Sequence, residues 1–180
     1  MRAKTDGFPT WSEGDIEKFE KKWERGTRER LALALLLYTG QRRGDVVRMG
    51  RQHVSGESIR VVQNKTGASL VIPMHAKLRA VLDAIAGDNL TFLLTAHARP
   101  FSAAGFGNWF RETCDAAGLP KRSAHGLRKA AARRLAEAGC TASQIGAITG
   151  HKTLKEVSRY TAAADTERMA RDAMKRIGDD

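Results

Sequence analysis

SAHGLRKAAARRLAEAGCTASQIGAITGH, residues 123–151, reads as two helices joined by a bend, and the rest of the chain can be laid out around it. Ser123 offers a capping hydroxyl, the alanine-rich run that follows has strong helix preference, and Gly139 stops it after Ala138. Thr141 opens a second helix that Gly150 closes after Thr149. His125 and Arg128 stand three apart near the start of the first helix, so both emerge on one face beside a helix N-terminus that favours anions. One phosphate can be met by both.

Downstream, Thr153 to about Tyr160 is predicted as a short helix, Thr161-Ala-Ala-Ala164 as a linker, and Thr166–Ile177 as a charged helix. Residues 161–180 thus form a tail helix, expected to be mobile or to seek a partner. Upstream, Ser102–Ala117 and His75–Ala86 are helical in pattern, with Gly118 and Gly87 as their stops. Ser58-Ile-Arg-Val-Val-Gln-Asn64 and Ala68–Ile72 are β-rich around the turn Lys65-Thr-Gly67, which predicts a hairpin with Lys65 at or beside its tip. A helix from Thr27 carries Leu31, Leu35, Leu36 and Tyr38; Gly40 breaks it before a short helix with Arg42, Asp45, Val46 and Met49. Ser12 and Asp15 make a capping box for a first helix that presents Ile16, Phe19 and Trp23 and ends by Gly26. The fold class expected is α+β, mainly helical, with a small antiparallel β-sheet or hairpin, in one domain over residues 1–180.

At 180 residues and 42% hydrophobic, the chain can bury one substantial core and not two. Its 31 Lys and Arg against 20 Asp and Glu, a net charge of +11, favour a polyanionic partner such as nucleic acid. Cys114 and Cys140 lack disulfide or zinc-knuckle spacing and are expected to be reduced. Met1–Thr10 has no apolar core of a leader, and the longest apolar run, Leu31–Leu37, is too short to span a bilayer, which predicts a cytoplasmic protein. No second histidine or cysteine stands at ligand spacing from His125, so no metal is expected, and His53, His75 and His97 are read as surface residues. Gly105-x-Gly107 lacks the third glycine of a dinucleotide site.

Taken in order, Arg42, Lys65, His125-x-x-Arg128, His151 and Tyr160 resemble the tyrosine recombinase (phage integrase) family, catalytic domain. The likeness runs from Ser12 to the tail. It includes Thr39-Gly-Gln-Arg42-Arg-Gly-Asp45, Ala117-Gly-Leu119 ahead of the His-x-x-Arg, and the spacing of nine from His151 to Tyr160. Two positions depart from the family pattern: Gln41 stands where an apolar residue is usual, and Asp45 where glutamate is commoner. The family also carries an N-terminal helical DNA-clamping domain, which is expected to be missing from residues 1–180, so that weak and steeply salt-dependent DNA binding is expected of this chain alone.

The resemblance implies DNA cleavage and rejoining through a 3′-phosphotyrosine, with Tyr160 as nucleophile and neither metal, ATP nor any other cofactor. A phosphodiester gains charge at its nonbridging oxygens as the fifth ligand arrives, so fixed cations stabilise the transition state more than the ground state. Arg42 and Arg128 are the expected cations, since a guanidinium presents a planar fork matched to two oxygens. Lys65 matches the lysine that protonates the departing 5′ oxygen. The resemblance places His125 for proton transfer at the tyrosine or a hydrogen bond to phosphate, His151 as a donor to a nonbridging oxygen, and Asp45 as the partner that orients Arg42 or His125. It further implies that Tyr160 can lie away from Arg42 and Arg128 when DNA is absent. Double-stranded DNA and other recombinase protomers are the implied partners, the latter through the tail. Two rivals remain at this point: a type IB topoisomerase, which uses the same kinds of residue, and a non-enzymatic helix-turn-helix protein built on residues 132–149.

Overall fold

Ser12 caps the first helix as its sequence requires: its hydroxyl accepts from the Asp15 amide at 3.1 Å, and the Asp15 carboxylate accepts from the Ser12 amide at 2.8 Å. The computed structural model describes residues 8–177, so most of the segment 1–10 read for a leader, and the last three residues of the tail, lie outside the described residues. This helix, α1 (Glu13–Lys22), turns Ile16 and Phe19 inward. Phe19 and Trp11 join Phe106 and Phe110 in one aromatic cluster, with Phe19 and Phe110 centroids 5.6 Å apart. Arg122 reaches Asp15 at 2.8 Å and ties the start of α1 to the loop before the sixth helix.

The second helix, α2 (Arg28–Thr39), is buried all round from Leu31 to Leu37. That is why its pattern lacks a polar face: it runs through the middle of the molecule with neighbours on every side. It packs against α4 (Ala76–Asp83), α5 (Ala103–Ala116) and α6 (Ala124–Glu137). Gly40 ends it in the left-handed region (φ 64°), and α3 (Arg43–Val46) follows at once.

Beside α3 lies a three-stranded antiparallel sheet in the order β1 (Val54–Ser55), β2 (Ser58–Val62) and β3 (Ser69–Pro73). Ile59 pairs with Ile72 and both are buried, whereas Arg60 and Val71 pair on the exposed face. One face therefore meets the core and the other meets solvent. The expected hairpin is present; β1 is an addition, two residues joined to β2 by a turn at Gly56 (φ 56°), too short to leave a pattern in the sequence.

The last helices are α7 (Ala142–Thr149) and α8 (Leu154–Ile177). Here the structure corrects the sequence reading. The linker expected at Ala162–Ala164 and the separate tail helix do not exist; a single 24-residue helix runs through both. Alanine is the strongest helix former and neither glycine nor proline interrupts residues 153–177, so the pattern break read there was only a loss of apolar periodicity. α8 packs on α6 and α7, with Val157 buried against Ala132, Ala136 and Ile145. Cys114 and Cys140 are both free, and no described helix is long and apolar enough to cross a membrane.

Candidate active site

Arg42 is placed by the turn that ends α2. It occupies the cap position of α3 in extended conformation, directly after the Gly40 reversal. A side chain at Gly40 would come within 3.0 Å of Thr149 Cγ2, so the end of α2 and the end of α7 approach closely only because that residue is glycine. Arg128, on the first turns of α6, bridges the same two ends. Its Nη1 donates to Gly40 O at 2.6 Å and Thr149 O at 2.7 Å, and the residue is 3% exposed.

Two guanidinium nitrogens are left over. Among the described residues, Arg42 Nη1 and Arg128 Nη2, like Arg28 Nε over the Phe101 and Trp109 rings elsewhere in the fold, are buried and have no hydrogen-bond partner. A buried donor on a cation is costly to leave unmade, so an anion entering from outside could satisfy these two nitrogens. Burial, and then repulsion from Arg42, pull the Arg128 pKa down to about 10, with Asp45, Glu156 and Tyr160 opposing. Arg128 therefore stays charged at neutral pH.

Two recesses meet here. One, of about 350 Å³, is lined by Arg42, Arg43, Lys65, Arg111 and His125; the other, of about 260 Å³, by His125, Arg128, His151, Arg159 and Tyr160. His125 lines both. All six residues expected to carry the chemistry thus border one or other of these two recesses, and Tyr160 shares one with Arg128.

Asp45 does not orient Arg42 or His125. Its Oδ1 accepts instead from Arg48 Nη2 at 3.0 Å and from the Asn64 amide at 2.8 Å. The short aspartate arm, buried under the turn, reaches the backbone of the hairpin and fixes the residue before Lys65. Lys65 itself is exposed and, among the described residues, makes no hydrogen bond of its own. Three buried polar residues went unremarked as site builders: Gln41, which drew notice only as a departure, Gln63 and Thr149, all fully buried. His75, read as a plain surface residue, caps α4 and stacks on Tyr38 with centroids 4.6 Å apart.

The protonation states follow from burial and charge. Burial raises the Tyr160 pKa, with Arg159 and Arg128 countering, so the free phenol holds its proton and needs an acceptor to become a nucleophile. Burial first, and then Lys129, Arg128, Arg42 and Arg43, lower the pKa of His125. His151 falls to about 4, through burial and then Arg128, with Glu156 opposing. Both rings are therefore neutral near pH 7 and able to accept. The His151 tautomer can be read from its neighbour: Nδ1 lies 2.6 Å from Thr149 Oγ1, whose own proton goes to Ile145 O at 2.8 Å. Nδ1 then carries the ring hydrogen and Nε2 is a bare acceptor. For His151 to donate to a phosphate oxygen it must gain a proton, which an anion seated between Arg42 and Arg128 favours.

This depression has a stability signature. Between about 4, the folded value, and 6.5, the ordinary value, the unfolded chain binds the proton and the folded chain does not, so stability falls as pH falls through that window. His151→Gln is expected to lessen the fall in melting temperature between pH 6.5 and 4 relative to wild type. Parallel curves for the two proteins would show that His151 titrates normally.

A family model described as the phage integrase family matches residues 13–167. Among curated proteins, the integrase of Escherichia phage HK022 is 29% identical over 149 residues, 73% of this chain and 40% of that protein. A prophage integrase of Escherichia coli K12 is 40% identical over 50 residues, 28% of this chain and 13% of that protein. Among solved structures, a lambda integrase dimer bound to a COC′ core site superposes with a TM-score of 0.70 at 25% identity, over 85% of this chain and 47% of that one. XerA recombinase gives 0.76 at 20% identity, over 91% and 65%. The chain thus spans less than half the length of the curated relatives it matches. The family match covers α1 through the part of α8 that carries Tyr160, and so includes every residue bordering the two recesses that the sequence had singled out. The chain belongs to the phage integrase family.

Proposed function

We propose that this chain is the catalytic part of a site-specific DNA recombinase that cuts and rejoins double-stranded DNA through a 3′-phosphotyrosine. The observation that carries this reading is the pair of buried, unpartnered guanidinium nitrogens on Arg42 and Arg128, with a neutral tyrosine in the adjoining recess. A scissile phosphodiester seated between the two arginines has its nonbridging oxygens neutralised, and the neutralisation grows in value as charge develops there. The Tyr160 oxygen attacks phosphorus while His125 or His151 accepts the phenol proton. The bond to the 5′ oxygen breaks, and Lys65 supplies the proton that makes it a hydroxyl. The adduct conserves the energy of the phosphodiester, so a 5′-hydroxyl from the same or another strand can reverse the reaction without ATP. Other protomers of the recombinase supply that second strand.

The reading is tested by trapping. A nicked duplex, selected from a pool with a randomised core by covalent capture on this chain, loses a short fragment on cleavage and leaves the protein attached to DNA. An SDS-resistant band is expected, and no band from any core sequence would refute the proposal. Recombinant products, as against plasmid that is merely relaxed, separate strand exchange from topoisomerase action. Cleavage is also expected to proceed unchanged in EDTA, because the guanidinium groups do the neutralising; a strict requirement for a divalent ion would refute that assignment.

A further inference from the structure

Gln41 and Gln63 are both fully buried, and each is saturated. Gln41 Nε2 donates to Thr39 O at 2.9 Å and to Ile148 O at 2.8 Å. Gln63 Nε2 donates to Gln41 Oε1 at 2.7 Å and to Thr149 O at 2.9 Å. Gln63 Oε1 accepts from Thr66 Oγ1 at 2.7 Å. All four amide hydrogens and both carbonyl oxygens are engaged, which also fixes which end of each amide is nitrogen. The bridge needs room, and the chain provides it: a side chain at Gly150 would fall 2.4 Å from Gln63 Nε2.

What these amides join matters more than what they fill. Gln41 precedes Arg42, Thr149 O is shared with Arg128 and lies two residues before His151, and Gln63 with Thr66 brackets Lys65. On the other side of Lys65 the Asn64 amide is held by Asp45. The turn is also closed internally by Gln63 N to Ala68 O and Gly67 N to Gln63 O, each 2.8 Å. Lys65 is therefore a free side chain on a backbone clamped at both neighbours, to the same two helix ends that hold the arginines. A surface turn needs no such anchorage for stability, and a buried polar network is an expensive way to obtain it.

We propose that Gln41 and Gln63 are positioning residues that hold the Lys65 turn in register with the arginine pair, so that the ammonium meets the departing 5′ oxygen. This rests on Lys65 acting as the acid in the proposed reaction. The amides touch neither DNA nor Lys65 itself; they act through the backbone of residues 64–66.

The test replaces both side-chain amides at once, Gln41→Met with Gln63→Met, so that neither is left facing an apolar partner, and separately cuts only the hairpin's tie with Thr66→Val. Single-turnover cleavage is measured on the captured nicked duplex and on the same duplex with sulfur as the bridging 5′ atom, since a thiolate leaves without a proton. Lys65→Ala is expected to cleave the oxygen substrate severely slowly and the sulfur substrate nearly normally. The glutamine and threonine variants are expected to lose about 10- to 100-fold on oxygen and to recover to within about threefold on sulfur. Added to Lys65→Ala they cost nothing further, and amide exchange at residues 64–68 speeds up in both. Equal losses on the two substrates, losses that multiply with Lys65→Ala, or no loss at all would overturn the positioning role. Failure of sulfur to rescue Lys65→Ala overturns instead the acid role of Lys65, while non-multiplying losses and faster exchange would still place the glutamines behind that residue. If the double methionine variant does not fold, Thr66→Val alone decides between these outcomes.

Discussion

Tyr160→Phe is expected to leave DNA affinity within about twofold of wild type and to lower formation of the covalent adduct by at least about 10⁴-fold. The change removes one oxygen from a half-buried ring and alters neither Arg42, Arg128 nor the packing of Val157 of α8 against α6 and α7. Because the phenol carries its proton in the free protein, the oxygen is expected to contribute little to binding DNA and, if Tyr160 is the nucleophile, everything to the attack. The chain has two tyrosines, and the other, Tyr38, is stacked on His75 at 4.6 Å in a separate groove with Arg134. A denaturant-resistant adduct that persists in Tyr160→Phe would therefore move the nucleophile to another kind of residue altogether. Gel mobility without detergent and SDS gels on the same samples give the two readings together.

The second large effect belongs to Arg128. Its Nη1 is fully committed to Gly40 O and Thr149 O, so a phosphate would be met by the remaining nitrogens, of which Nη2 is buried and without a partner among the described residues. A lysine there keeps the charge but has a single nitrogen for both tasks. Arg128→Lys is expected to fold and to cleave about 10²- to 10³-fold more slowly. Arg128→Ala is expected to lose at least as much rate and, in addition, about 1–3 kcal/mol of stability, because Gly40 O is left without its donor while Thr149 O keeps Gln63. Single-turnover cleavage and urea denaturation measure the two losses. Wild-type cleavage by Arg128→Lys would mean that the fork does not grip the phosphate, and that the arginine serves only to pin two helix ends together.

How much of this could be read in the linear chain depended on range. Features decided within a few residues were legible: the Ser12–Asp15 capping box, the glycine stops at Gly40 and Gly150, and the alternation of β2 and β3. The grouping of Arg42, Lys65, His125, Arg128, His151 and Tyr160 was expected only from the family resemblance, since no local pattern says that they line the same pair of recesses. Partners chosen across the fold were not. Nothing near Asp45 in sequence says that it will take the Asn64 amide, and nothing ties residue 41 to 63 and 148 before the ends of α2 and α7 have met. A glutamine in an apolar position looks like an exception until the second glutamine is found opposite it. The linker misread at Ala162–Ala164 is an error of another kind. Helix propensity there is high, and the small alanine side chains, Ala164 among them packed against the Val157 cluster, leave no stripe of large apolar residues to read.

The unbroken course of α8 gives that helix a mechanical character. Its 24 residues extend about 36 Å, and among its described side chains the one buried outright is Val157, near one end and three residues from Tyr160, with Tyr160 and Ala164 partly buried against the same cluster. Pivoted at Val157, it would be a lever with its fulcrum close to the proposed nucleophile. A tilt of about 5° about Val157 carries Ile177 through about 2.6 Å but moves the Tyr160 backbone by only about 0.4 Å. The gearing is about sevenfold, so a coarse pull on the far end arrives at the phenol as a fine adjustment, of the size that separates a tyrosine in line with phosphorus from one that is not.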